Sequence, residues 1–150
     1  MFAELTQILL KNYDASIVFT GGPDEANTIE SIQKHIDPGL NFTRNLAGKI
    51  SLRETFAVIS LAELFISNDS GLMHAASAFE IPQIALFGST VQELGFYPMN
   101  PRCVILEADV QCRPCTHIGR ASCPEKHFRC MKDISVERVF EQSNKMLSNY

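Results

Sequence analysis

Apolar residues along this chain fall into two alternating patterns. Phe2, Leu5, Ile8 and Leu9 repeat at three- and four-residue steps, which predicts a helix over 2–12. Ala15 to Thr20 is a short, continuous apolar run, the mark of a buried parallel-type strand. Gly21-Gly22-Pro23 stops it, and a helix is predicted from Asp24 to about His35, with a proline and acids suited to its first turn. Asp37-Pro38-Gly39 reads as a turn and 40–46 as a weak strand. Ser51 and Glu54 have the spacing of a capping box, ahead of a helix with Leu52, Phe56, Ile59 and Leu61 along one side. A strand over 64–67, a helix over 70–79 and a strand over 83–87 follow, with Ile81-Pro82 ending the helix. A loop holding Phe96, Tyr97, Pro98 and Pro101 leads to a strand over 103–106. Val136, Val139, Phe140, Met146 and Leu147 then mark a final amphipathic helix from about Ser135.

Strands alternating with helices predict an α/β fold built on an open, mostly parallel sheet. Ligands in such sheets bind outside the carboxyl ends of the strands. Three polar, glycine-bearing turns are expected there, at 21–25, 68–71 and 88–90. The second is the most suggestive: a strand runs through Asn68-Asp69-Ser70-Gly71 into a helix rich in Ala75, Ala76 and Ala78. Unpaired N–H groups and the helix dipole meet at such a start and favour an anion such as phosphate. Asp69 adds an acceptor there, and His74, one turn into the helix, a donor. The plain alternative is that Asp69 or Ser70 caps the helix and His74 packs locally.

Composition narrows the partners. The 150 residues suit about one domain, and no linker or repeat interrupts them, so 1–150 is expected to be a single domain. A net charge of −4 argues against a nucleic-acid partner, whose footprint is usually basic. No apolar run reaches the roughly 20 residues that cross a bilayer, and Met1 to Leu10 lacks the basic region of a signal peptide, so a cytoplasmic place is expected. Five cysteines complicate this, four of them in the spacing Cys112-x2-Cys115-x7-Cys123-x6-Cys130. Four thiolates match tetrahedral zinc, but the second pair is wider than a usual knuckle. Structural zinc, free thiols and a disulfide therefore all stay open. Arg113, Arg120, Lys126, His127 and Arg129 make this segment locally basic, which suits a solvated loop or, alternatively, an anionic acceptor or membrane surface. His35 and His117 are given no role.

Asn68-Asp69-Ser70-Gly71-x-Met73-His74-x-Ala76, followed by Pro82-x-Ile84-Ala85-Leu86-Phe87-Gly88-x-Thr90, resembles glycosyltransferase family 9, the heptosyltransferases of lipopolysaccharide synthesis. Phe19-Thr20-Gly21-Gly22-Pro23-x-Glu25, Leu46-Ala47-Gly48-Lys49-x-Ser51-Leu52 and the segment ending Cys130-Met131 fit the same family, so the likeness covers essentially the whole chain. It implies a GT-B architecture of two Rossmann-like domains with helices on both sheet faces. This chain resembles only the carboxyl-terminal, donor-binding half, apparently without that half's first strand. A truncated fragment is expected, inactive alone, with the catalytic base in the amino-terminal half.

The resemblance implies a nucleotide-sugar donor, typically ADP-heptose, a lipopolysaccharide or other glycan acceptor, and transfer without a metal. It assigns Asp69 to donor sugar hydroxyls, and Ser70, Gly71 and His74 to the diphosphate. The Gly48-Lys49-Ile50 segment is matched with adenine, chiefly through its backbone. Lys49's side chain reads more readily as a solvated surface lysine than as a ligand contact, and Glu25 either accepts from a ribose or sugar hydroxyl or is a first-turn acid. Gly88, Ser89 and Thr90 border the cleft, Gly88 chiefly for its turn. A place at the inner face of the cytoplasmic membrane fits such an enzyme. The rivals are half of another GT-B enzyme, such as a nucleotide-sugar epimerase, and a metal-stapled binding module without activity. Apolar surface left uncovered by truncation predicts self-association.

Overall fold

The computed structural model describes residues 1–40, 42–119 and 122–148. Two compact units form, 1–58 and 59–150. All strand pairings are parallel, as the apolar runs predict.

In the first unit, helix α1 (Phe2–Asn12) buries Leu5, Thr6 and Leu9, the face its spacing predicts. Strands β1 (Ile17–Phe19) and β2 (Thr43–Asn45) pair from Ile17 opposite Thr43 to Phe19 opposite Asn45. Both are shorter than the apolar runs suggest. β1 is also less buried: Val18 is 41% exposed, because β1 pairs with β2 alone among the described residues. The helix expected from Asp24 opens instead as a 3-10 turn over Pro23–Glu25, and α2 proper is Ala26–Gln33. Proline lacks the N–H that a continuing helix needs but suits a first turn. At the other end, i−3 bonds from His35 N–H to Ile32 O and from Ile36 N–H to Gln33 O close the last turn. The Asp37 turn is built as read, its Oδ1 accepting from Gly39 N–H at 2.9 Å.

Helix α3 (Leu52–Ser60) has the capping box its sequence announces. Ser51 N–H donates to Glu54 Oε2 at 2.7 Å, and Glu54 N–H donates back to Ser51 Oγ at 3.3 Å.

In the second unit, β3 (Phe65–Asn68), β4 (Gln83–Phe87) and β5 (Cys103–Glu107) form a sheet in that order, with β4 in the middle. All five β4 side chains are buried. Helices α4 (Gly71–Ala78), α5 (Arg129–Lys132) and α6 (Val136–Leu147) contact this strand. Ile59, Ala76 and Ile81 form one apolar cluster, and Met73, Ala85 and Phe87 another. Short helix α5, inside the cysteine segment, has no signature in the apolar pattern. Ser135 caps α6, accepting from Arg138 N–H at 3.2 Å.

Phe87 is 0% exposed, and its ring meets Tyr97 at a centroid distance of 4.2 Å. Phe87→Ala is expected to cost about 3–5 kcal/mol. Leu61, 85% exposed, is expected to tolerate serine within about 0.5 kcal/mol. Urea unfolding of the two variants tests this; equal losses contradict the assignment of the core.

Candidate functional site

The second unit brings two of the three turns together. After β3, Asp69 N–H donates to Leu86 O at 3.1 Å, carrying the β3–β4 ladder one residue past the strand. Ser70 is extended (φ −159°, ψ 164°) and occupies the N-cap of α4, but its hydroxyl makes no cap bond. The helix therefore begins at Gly71, with Asp69, Ser70, Gly71 and His74 all exposed. A side chain at Gly71 would meet nothing within 4 Å, so this glycine leaves open space beside the helix start.

The turn after β4 lies behind this surface. Thr90 is 2% exposed, and its hydroxyl donates to Asp69 Oδ2 at 2.8 Å. Thr90 thus reaches the site through Asp69. Gly88 is buried, and a Cβ there would come within 2.7 Å of Met131 Sδ and 3.7 Å of Cys130 Sγ. Close packing against the cysteine segment requires this glycine, a reason beyond its turn.

Sequence reasoning did not single out the group that supports the turn. Arg113 is 7% exposed at its side chain; Nη2 donates to Thr90 O at 2.7 Å and to Glu107 Oε2 at 2.6 Å, and Nη1 donates to Ala108 O at 3.1 Å. Its Nε has no partner among the described residues. Nothing in the local pattern separates Arg113 from the other basic residues of its loop, since its acceptors lie at the end of β5, at Ala108 just beyond it and in the 88–90 turn. Tyr97 Oη also donates to Glu107 Oε2. Burial, then the hydrogen bond and charge of Glu107, push the Tyr97 phenol up to about 12. Burial alone would raise Glu107, but bonds from Tyr97 and Arg113 and the charges of Arg113 and Arg138 together hold it below the ordinary carboxylate range.

In the first unit the third turn, 21–25, is joined to the segment that holds Gly48, Lys49 and Ile50. Gly48 N–H donates to Gly21 O at 3.1 Å, and Gly48 has φ +68°, where a Cβ would also strike Pro23 Cα at 2.8 Å. Lys49 is exposed and Ile50 half-buried. Glu25 Oε2 folds back to accept from Gly22 N–H at 2.9 Å, while Glu25 N–H donates to Gly22 O at 3.1 Å.

The cysteines are free thiols. Cys115 Sγ donates to Cys112 O at 3.0 Å, Cys123 Sγ accepts from Phe128 N–H at 3.4 Å, and Cys112 Sγ lies 3.9 Å from His127 Nε2. Burial and then the neighbouring thiols push Cys115 and Cys130 up. Among the described residues, no three or more ligand side chains are gathered as a metal site. Arg120, read as part of this basic segment, lies outside the described residues. No described helix is long and apolar enough to cross a membrane.

Against known proteins, the profile of Glycosyltransferase family 9 (heptosyltransferase) matches residues 1–127. The chain belongs to glycosyltransferase family 9. It is 37% identical over 150 residues to lipooligosaccharide heptosyltransferase 2 of Haemophilus influenzae, covering 98% of this chain and 42% of that protein. It is 29% identical to the Campylobacter jejuni protein of that name, over 99% of this chain and 45% of the other. Among solved structures, E. coli ADP-heptose lps heptosyltransferase II superposes with a TM-score of 0.83 at 24% identity, over 99% of this chain and 40% of that one. A family 9 glycosyl transferase from Veillonella parvula gives 0.82 at 22% identity, over 99% and 41%. The chain thus spans less than half the length of these relatives, and its open α/β fold is that of the corresponding part of family 9 structures.

The Glu107 network gives a pH dependence. Glu107 is more acidic folded than unfolded, so its contribution is full above the ordinary carboxylate range and is lost as pH falls through its lowered folded value. Tyr97 has the opposite sign, contributing below 10.0 and losing that contribution as pH rises through about 12. Glu107→Gln should lower the thermal midpoint most near neutrality, and the gap from wild type should narrow progressively as pH falls through and below about 4.3, the ordinary glutamate value. A gap that stays constant over that range contradicts the assignment.

Proposed function

We propose that this chain is the donor-binding half of a heptosyltransferase-type enzyme, taking an ADP-sugar, ADP-heptose by preference, for lipopolysaccharide core or a related glycan. The observation that carries this reading is the exposed Asp69 carboxylate, fixed by Thr90 beside the open start of α4. A helix start offers N–H groups and a positive dipole end to a diphosphate. Ser70 and Gly71 present those N–H groups, the Ser70 hydroxyl, which makes no cap bond, adds a donor, and His74 faces the same anion. Asp69 accepts from donor sugar hydroxyls. Gly88 and Thr90 act from behind, by packing and by holding Asp69.

Glu25, Lys49 and Ile50 are proposed donor contacts on the strength of the family resemblance, Lys49 and Ile50 chiefly through backbone groups toward adenine. Inversion at an anomeric carbon needs a base for the acceptor hydroxyl and stabilisation of the departing diphosphate. The helix start suits the second task. The base belongs to the other half of the enzyme, which also holds the glycan acceptor, so the 150-residue chain alone transfers nothing.

Isothermal titration of the full-length enzyme tests the site. ADP-heptose is expected to bind, and Asp69→Ala to weaken it about tenfold to hundredfold, the range for a lost bond to a charged group. Binding of ADP-heptose unchanged by Asp69→Ala, or no binding by the wild type, contradicts the proposal.

We also propose a structural zinc on Cys112, Cys115, Cys123 and Cys130, with no part in transfer. The support is four thiols in one segment, three on a loop and Cys130 in α5, close enough for Cys112 and Cys123 to raise Cys130 and for all three to raise Cys115. A cation that takes thiolates would relieve that crowding. Closure round one ion requires the side chains to shift from the arrangement described above. Metal analysis of protein purified under reducing conditions, without added zinc, should find about one zinc per chain. Metal-free protein with titratable thiols contradicts it.

A further inference from the structure

The buried guanidinium of Arg113 has no role in the donor contacts proposed above, yet it is joined to them by two hydrogen bonds in series. Nη2 donates to the Thr90 carbonyl at 2.7 Å, and the Thr90 hydroxyl donates to Asp69 Oδ2 at 2.8 Å. A second strand of the same loop works alongside it: Cys115 N–H donates to Ser89 O at 3.1 Å. The 88–90 turn is therefore fastened to the cysteine loop through two successive carbonyls. Thr90 is stiff at χ1, so fixing its backbone also aims its hydroxyl. Asp69 is exposed, and a surface carboxylate left to itself samples several rotamers. A binding group gains from being held close to one geometry by the shell behind it.

We propose that Arg113 is a positioning residue for the donor sugar, acting on Asp69 through Thr90. The inference rests on the reading of Asp69 as the sugar contact. Arginine suits the task because its planar fork serves Glu107, Thr90 O and Ala108 O at once, with Glu107 balancing its buried charge. A lysine keeps the charge for Glu107 but cannot span all three acceptors.

The test uses the full-length enzyme, the variants Arg113→Lys and Thr90→Val and their combination, and titration with both ADP and ADP-heptose. Only ADP-heptose carries the sugar that Asp69 contacts. Each single variant should weaken ADP-heptose about threefold to tenfold, the range for one hydrogen bond, and leave ADP within about twofold. The double variant should lose no more than the worse single one, because both changes break the same relay. Equal losses for ADP and ADP-heptose would show a general structural defect and overturn the inference, as would losses that multiply in the double variant. If wild type binds ADP-heptose and the relay variants bind it unchanged, this inference fails and the donor site stands. If wild type does not bind ADP-heptose, both fall.

Discussion

Strand β4 is hydrogen-bonded to a neighbour on each side, and none of its five side chains reaches water. Four of them are apolar, and the fifth, Gln83, is 0% exposed. A buried amide oxygen is costly unless it accepts a hydrogen bond. Gln83 Oε1 accepts from Ser77 Oγ and from Asn100 Nδ2, each at 3.2 Å, tying α4 and the loop before β5 to the middle of the sheet. The strand therefore sets the position of everything at its carboxyl end. There the chain turns through Gly88, Ser89 and Thr90 with little freedom, because Gly88 packs against Met131 and Thr90 is buried.

That rigidity reaches the surface through one side-chain bond, from Thr90 to Asp69. The helix start at Gly71 is general chemistry, available to any anion of the right size. On the proposed reading, Asp69 would supply the discrimination, because a carboxylate held in one place distinguishes a hydroxyl-bearing sugar from a bare phosphate. In that proposal affinity and selectivity come from adjacent residues with different support: backbone N–H groups of α4 for one, and the buried Arg113–Glu107–Tyr97 network behind Thr90 for the other. A charge as buried as that of Arg113 would be destabilising without Glu107. The network therefore stabilises the end of the sheet and, on the proposed reading, places Asp69 as well.

Much of this was legible in the chain. Continuous apolar runs gave parallel strands, Ser51-x-x-Glu54 gave a capping box that formed as read, and the polar turns fell at the carboxyl ends of their strands. These features depend on neighbours a few residues apart. The motif Asn68–Ala76 also marked the exposed Asp69 surface and, by resemblance, the family. Other features depend on distant partners, which no local pattern carries. Arg113 looked like one cation in a basic loop, and Gly88 looked like a turn glycine. Val18 looked buried, whereas a strand paired on one side leaves it partly open. The four cysteines gave a spacing without giving a geometry, and helix α5 was hidden among them.

The central claim is that Asp69, held by Thr90, receives the donor sugar beside the start of α4. A crystal structure of the full-length enzyme with ADP-heptose, or a non-transferable analogue of it, addresses this directly. The account predicts a sugar hydroxyl within hydrogen-bonding distance of the Asp69 carboxylate, the diphosphate on the N–H groups of Ser70 and Gly71, and the Thr90–Asp69 bond intact. A donor bound with its sugar away from Asp69, or with its diphosphate away from the start of α4, would contradict it.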